Sequence, residues 1–111
     1  RMVCDIVQGQ LVTSIVLNEQ YNLNVWTMAT FVRNTSTGYV DLYINGIYKQ
    51  SSTDSTTNPA DSQVVWIGRS PFQGGRYPFK GLITDIKIYT DARSSGDISA
   101  YYNATKGRYG Y

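Results

Sequence analysis

An all-β fold, an antiparallel sandwich with one short helix near the carboxy terminus, is the class this sequence predicts, and three observations predict it. Residues 26–46, WTMATFVRNTSTGYVDLYING, spell two alternating strands, a polar turn between them and a second turn at Asn45-Gly46. Val40, Leu42 and Ile44 occupy one parity and Tyr39, Asp41, Tyr43 and Asn45 the other, the pattern of a strand with one buried face. Short β-type runs separated by turn residues recur along the rest of the chain. An aromatic content of 14%, with ten Tyr, suits a β-rich surface better than a helical bundle.

Taken in order, residues 3–7 (VCDIV) and 11–17 (LVTSIVL) read as strands flanking a turn at Gln8-Gly9-Gln10, and Asn18 to Asn24 is a polar connection. Strands over 25–33 and 38–45 follow, joined by Asn34-Thr35-Ser36-Thr37-Gly38. Asn45 and Gly46 both tolerate the positive φ of a type I′ turn, so the hairpin continues into Ile47–Gln50. The run SSTDSTTNPADS at 51–62 lacks the residues to build a core and reads as a long solvated loop. Residues 64–68 (VVWIG) read as a short buried strand, and 79–89 (FKGLITDIKIY) as the longest late strand, with a bulge at Gly81 and with Ile86 and Ile88 on one face. Ser94-Ser95-Gly96-Asp97 has the spacing of a capping box, and Ile98 with Tyr101 or Tyr102 gives the apolar stripe of a helix ending near Asn103. Beyond it lies a polar tail, KGRYGY, expected to be loosely ordered.

Composition excludes several functions. At 111 residues the chain is one domain or a piece of one. Ten Lys and Arg against eight acids give a net charge of +2, too even for a phosphate-backbone binder, so no nucleic-acid partner is expected. Cys4 is the single cysteine, read as a small buried hydrophobe on the first strand, and allows neither an intrachain disulfide nor a cysteine-rich metal site. With no His, imidazole bases, His-ligated zinc and Ser-His-Asp constellations are excluded. No apolar run is long enough to span a membrane, so no membrane insertion is expected. Met2 is followed at once by strand-like residues rather than a signal peptide, and a chain that begins at Arg1 is read as starting inside a larger gene product.

The ordered set W-x-x-A-x-F at 26–31, V-D-L-Y-I-N-G at 40–46, V-W-I-G at 65–68, F-K-G-L-I-T-D-I-K-I-Y at 79–89 and the S-x-x-D-I helix resembles the laminin G-like branch of the concanavalin A-like jelly rolls, pentraxins included, over roughly residues 11–103. The resemblance implies a two-sheet antiparallel jelly roll in an extracellular or surface-exposed protein, used for binding glycan or protein. Such domains carry further strands before the matched segment. The whole chain, 1–111, is therefore expected to be the carboxy-terminal part of one such domain, its missing strands supplied by a longer precursor or by another chain, with self-association as a further consequence.

A jelly-roll glucanase needs two carboxylates across the glycosidic bond. Here the lone Glu, Glu19, sits in a polar connection, and Asp41 and Asp85 read as solvent-facing strand residues, so no enzyme is expected. Pentraxins place an acid cluster after a strand resembling VVWIG. Arg69, Ser70, Pro71 and Phe72 stand there instead, which leaves Asp54 and Asp61 in the polar loop as the acids for a calcium ion, and no cofactor is expected. The loop from Arg69 to Pro78 combines two forked donors, Arg69 and Arg76, with two rings, Phe72 and Tyr77, around a Gly pair, the elements a glycan site uses. Tyr39 and Tyr43, four residues apart on the strand's outward parity with Asp41 between them, offer a second stacking platform. Asn34-Thr35-Ser36 and Asn103-Ala104-Thr105 fit the glycosylation pattern, with Asn34 at a loop tip and Asn103 just past the helix. The expected function is a non-catalytic glycan-binding module, and the alternative is a structural domain packed against protein subunits in a surface layer, appendage or virion.

Overall fold

The structure, a computed structural model, describes residues 2–8, 11–17, 23–56, 67–68 and 78–110. The chain divides into two compact units, one formed by 1–59 with 91–111 and the other by 60–90. In the first unit, β1 (Met2–Gln8) pairs antiparallel with β2 (Leu11–Leu17), in a register running from Met2 opposite Leu17 to Gln8 opposite Leu11. A second sheet contains β3 (Ala29–Asn34), β4 (Tyr39–Ile44) and β5 (Ile47–Thr53) in that order, all antiparallel, and β2 comes into contact with β5 and β4. All five strands coincide with expected ones, although β5 continues to Thr53, into the segment expected to be loop.

The turn between β4 and β5 organises this unit. Ile44 pairs with Ile47, and the two residues between them, Asn45 at φ 51° and Gly46 at φ 78°, both take the left-handed conformation that lets a two-residue loop follow the strand twist. Asn45 also reaches back to the start of β3. Its backbone N–H donates to the Met28 carbonyl at 2.9 Å, and its Oδ1 accepts from the Met28 N–H at 2.9 Å. Met28 would otherwise lack a ladder partner, so the side chain extends the sheet by one pairing.

Above the turn lies α1 (Ser95–Thr105), which starts where expected: the Ser94 hydroxyl caps the Asp97 N–H at 3.1 Å, and Asp97 places a negative charge in the first turn. The helix buries Ile98 against Val32 and Tyr43, with Met28 packed alongside, a burial that contributes about 1.5–3 kcal/mol. It runs two residues past its expected end, to Thr105, whose hydroxyl donates back to the Tyr101 carbonyl at 2.8 Å. The described part of the tail expected to be loose is ordered instead: Lys106–Arg108 form a 3₁₀ turn, and the Tyr109 ring meets Trp26 at a centroid distance of 5.2 Å. Two half-buried rings supply the apolar contact that a polar reading of KGRYGY overlooks.

In the second unit, the strands expected over 64–68 and 79–89 are not what the described residues form. Residues 64–66 lie outside them, and Ile67 and Gly68 make a bend, with Gly68 at φ 75° and its carbonyl accepting from the Phe79 N–H at 2.6 Å. Residues 78–90 take part in no ladder among the described residues, and Asp85 at φ 51° interrupts the alternation in mid-run. Ile86 and Ile88, expected to share one strand face, are both exposed.

Gly46 carries a direct test. A Cβ there would stand 2.9 Å from the Tyr102 Cβ and 3.3 Å from the Ser99 Cα, both on α1, and would sit at a φ of 78° that L side chains rarely adopt. Gly46→Ala is expected to cost about 1–3 kcal/mol, seen as a fall in Tm of roughly 4 °C or more. Gly107→Ala, where no atom lies within 4 Å of the added Cβ, is the control and should leave Tm nearly unchanged.

Candidate functional site

Cross-strand register assembles one face of the β3–β4–β5 sheet. Tyr39, Asp41 and Tyr43 on β4 lie opposite Asn34, Val32 and Thr30 on β3, and opposite Thr53, Ser51 and Tyr48 on β5. Val40, Leu42 and Ile44 point the other way and are buried, as their parity predicts. The Tyr39 and Tyr43 platform is not realised. Tyr39 is 46% exposed but Tyr43 only 7%, because Ile98 of α1 covers it. The alternation places both rings on one side of the strand and says nothing of the helix that arrives there 55 residues later in the chain.

Tyr48 occupies the place that Tyr43 was expected to fill. Counting outward from the Asn45-Gly46 turn puts it opposite Tyr43, and the two rings meet edge to face at 5.7 Å and 75°. One residue further on, the register shifts: Leu42 faces Gln50, so Lys49 is the extra residue of a β-bulge. After the bulge, Ser51 returns to the same face and its Oγ lies 3.0 Å from the Tyr48 hydroxyl. The two-residue turn was the signal available in the sequence for Tyr48. Burial pushes the Tyr43 phenol above its ordinary pKa, and the negative charge of Asp41 and the neighbouring Tyr48 push it the same way.

On the opposite face, where Arg33 pairs with Val40, Arg33 near the end of β3 is tied to the segment after β5. Its Nε donates to Asp54 Oδ2 at 2.5 Å, and Nη2 donates to the Thr56 carbonyl and hydroxyl at 3.2 Å. Asp54 Oδ1 accepts in turn from the Thr56 N–H at 2.9 Å and from its hydroxyl. Asp54, considered for calcium, is thus a buried structural acceptor with 3% of its side chain exposed, and the loop expected to be solvated is anchored at its start. Among the described residues no group of three or more acids or cysteines could hold a metal ion.

Asn34 sits at the β3–β4 hairpin as expected, its Oδ1 accepting from the Ser36 and Thr37 N–H groups at 3.0 and 3.3 Å. Asn103 falls inside α1, exposed, rather than just past the helix. Arg69, Phe72, Arg76 and Tyr77, together with Glu19 and Asp61, lie outside the described residues. No helix among the described residues is long and apolar enough to cross a membrane.

A sheet of this register carrying a carboxy-terminal helix on one face is the setting in which the comparisons fall. Residues 6–99 match the Laminin_G_3 family of the concanavalin A-like lectin/glucanases superfamily, and the chain belongs to that family. The match runs through both compact units. Among solved structures, the chain is similar to residues 221–444 of an S-layer domain-containing protein from Clostridium thermocellum, with a TM-score of 0.63 and 19% identity. That likeness is one of fold; it covers 82% of this chain, which spans only 45% of that structure. A search of curated proteins finds no match.

The raised Tyr43 pKa sets a pH dependence. The folded state holds the Tyr43 proton more tightly than the unfolded chain does, so its contribution to stability is intact below the ordinary tyrosine value of 10.0 and is lost as pH rises from there through the folded value. Melting temperature is expected to fall on alkaline titration above that value. Tyr43→Phe should make the fall measurably shallower while leaving the neutral-pH Tm within a few degrees.

Proposed function

We propose that the chain is a non-catalytic binding module of an extracellular or surface protein and that it recognises glycan. The observation that carries the reading is the β4–β5 face of a lectin/glucanases-superfamily domain, where the exposed Tyr39 ring stands beside the half-buried Asp41 carboxylate. Exposed rings beside hydrogen-bonding groups are what a sugar needs: a flat apolar surface for its C–H face and polar partners for its hydroxyls. The loop residues Arg69, Phe72, Arg76 and Tyr77 supply the same chemistry and are assigned to this function on their sequence.

The acids support the non-catalytic reading. A glycosidase flanks the scissile bond with two carboxylates. On this sheet Asp41 is the one carboxylate facing the open side among the described residues, since Asp54 is committed to Arg33 and Thr56. In the completed fold the strands form a two-sheet jelly roll, part of which comes from a longer precursor or from another chain. The similarity to less than half of the S-layer domain-containing structure supports that reading. Asn34 and Asn103 are the glycosylation acceptors if the protein enters a glycosylating secretory route.

A second reading, an assembly domain packed against other protein, is favoured by one observation. Leu82, Ile86 and Ile88 of the 60–90 unit are 78%, 54% and 77% exposed, aliphatic surface suited to an apolar partner.

An array of neutral and acidic glycans separates the two. The chain is expected to bind a subset of neutral glycans, and alanine at Phe72 or Tyr77 should weaken that binding without a change in Tm. A polysaccharide panel incubated with the chain should release no reducing sugar. Release of sugar would overturn the non-catalytic reading, and absence of glycan binding together with concentration-dependent self-association in sedimentation would favour assembly.

A further inference from the structure

The geometry points to a sugar-stacking strip along β4 and β5 whose two rings are Tyr39 and Tyr48, with Asp41 and Ser51 between them as the polar partners of a neutral, extended glycan chain. This rests on the glycan reading above and names its site. Tyr48 is 52% exposed, yet its ring is held at both ends: its side meets the buried Tyr43 ring edge to face, and its hydroxyl bonds the Ser51 Oγ. A ring that is open to solvent but already fixed loses little rotamer freedom when a ligand stacks on it.

The bulge at Lys49 spaces the polar groups of the strip. The turn alone would put Gln50 opposite Asp41; the extra residue brings Ser51 there instead, within reach of Tyr48, and sets Thr53 opposite Tyr39. Bulges re-aim side chains in this way beside binding sites. Tyr39 and Tyr43 are four residues apart on an extended strand, so the rings of Tyr39 and Tyr48 are separated by roughly 14 Å along the sheet. That separation exceeds one sugar ring and suits a chain of several.

The occupant is chosen by what lies between the rings. Asp41, Ser51 and Thr53 offer a carboxylate and hydroxyls, which match sugar hydroxyls, whereas a protein partner would need a desolvated apolar anchor there. The carboxylate at the centre of the strip disfavours a polyanion.

The test uses the whole chain with soluble neutral β-glucan, xylan and mannan, and a sulfated polysaccharide as the anionic control, by titration calorimetry alongside thermal melts. Tyr39→Ala and Tyr48→Ala are each expected to weaken binding of a neutral polysaccharide about tenfold, the scale of one lost aromatic contact. Tyr48→Phe, which keeps the ring but removes the hydroxyl that fastens it to Ser51, should weaken it by a smaller factor and leave Tm nearly unchanged, so the strip remains testable if Tyr48→Ala unfolds the chain. Binding that survives both Tyr39→Ala and Tyr48→Phe at full strength overturns the strip while the glycan reading stands, with the site moved to the loop of Arg69 and Tyr77. Tighter binding of the sulfated control than of any neutral polymer overturns the choice of ligand. Failure of the unaltered chain to bind any neutral polysaccharide overturns both readings.

Discussion

The two-residue turn at Asn45-Gly46 is the constraint on which the first compact unit depends. Two consecutive left-handed residues are costly for most side chains, and Asn followed by Gly is the pair that meets the requirement most cheaply. The same turn performs two further tasks. Asn45 closes the entry to β3 by pairing with both backbone groups of Met28, and the bare Cα of Gly46 gives α1 a place to lie, since any Cβ would strike Tyr102. Strand pairing, helix docking and the burial of Ile98 thus converge on two residues.

Register propagates from that turn to the surface. It places Tyr48 against Tyr43, and the helix seated over the turn buries Tyr43 while leaving Tyr48 open. A ring expected to bind packs instead against one that stays exposed. At the far end of β3, the Arg33–Asp54–Thr56 network ties the hairpin to the segment after β5, so the exposed face is anchored by the turn at one end and by buried polar contacts at the other. A face fixed in this way keeps Tyr39, Asp41 and Ser51 in constant relative positions.

What the sequence disclosed was mostly local. The Asn-Gly pair, the alternation of Val40, Leu42 and Ile44, and the Ser94 cap are each decided within a few residues, and each is realised in the structure. The departures are contacts between segments distant in the chain. Burial of Tyr43 depends on Ile98, the ordering of the tail on Tyr109 meeting Trp26, and the role of Asp54 on Arg33; no periodicity within β4, the tail or the polar loop encodes those meetings. The run FKGLITDIKIY has the composition of a strand but joins no ladder among the described residues, and Asp85 takes a left-handed conformation in its midst. Membership of the concanavalin A-like lectin/glucanases superfamily was legible because it rested on the order of several motifs across the chain and not on any single one.

Amide hydrogen exchange on the Asn45→Ala variant tests the central claim most directly, because it reports on the sheet and the helix residue by residue. If the turn organises the unit, the Met28 amide loses protection, and the helical amides of α1 from Ile98 onward lose protection together with it. Faster exchange at Met28 with α1 as protected as in the unaltered chain would contradict the account, and would mean that the helix holds its position without the turn beneath it.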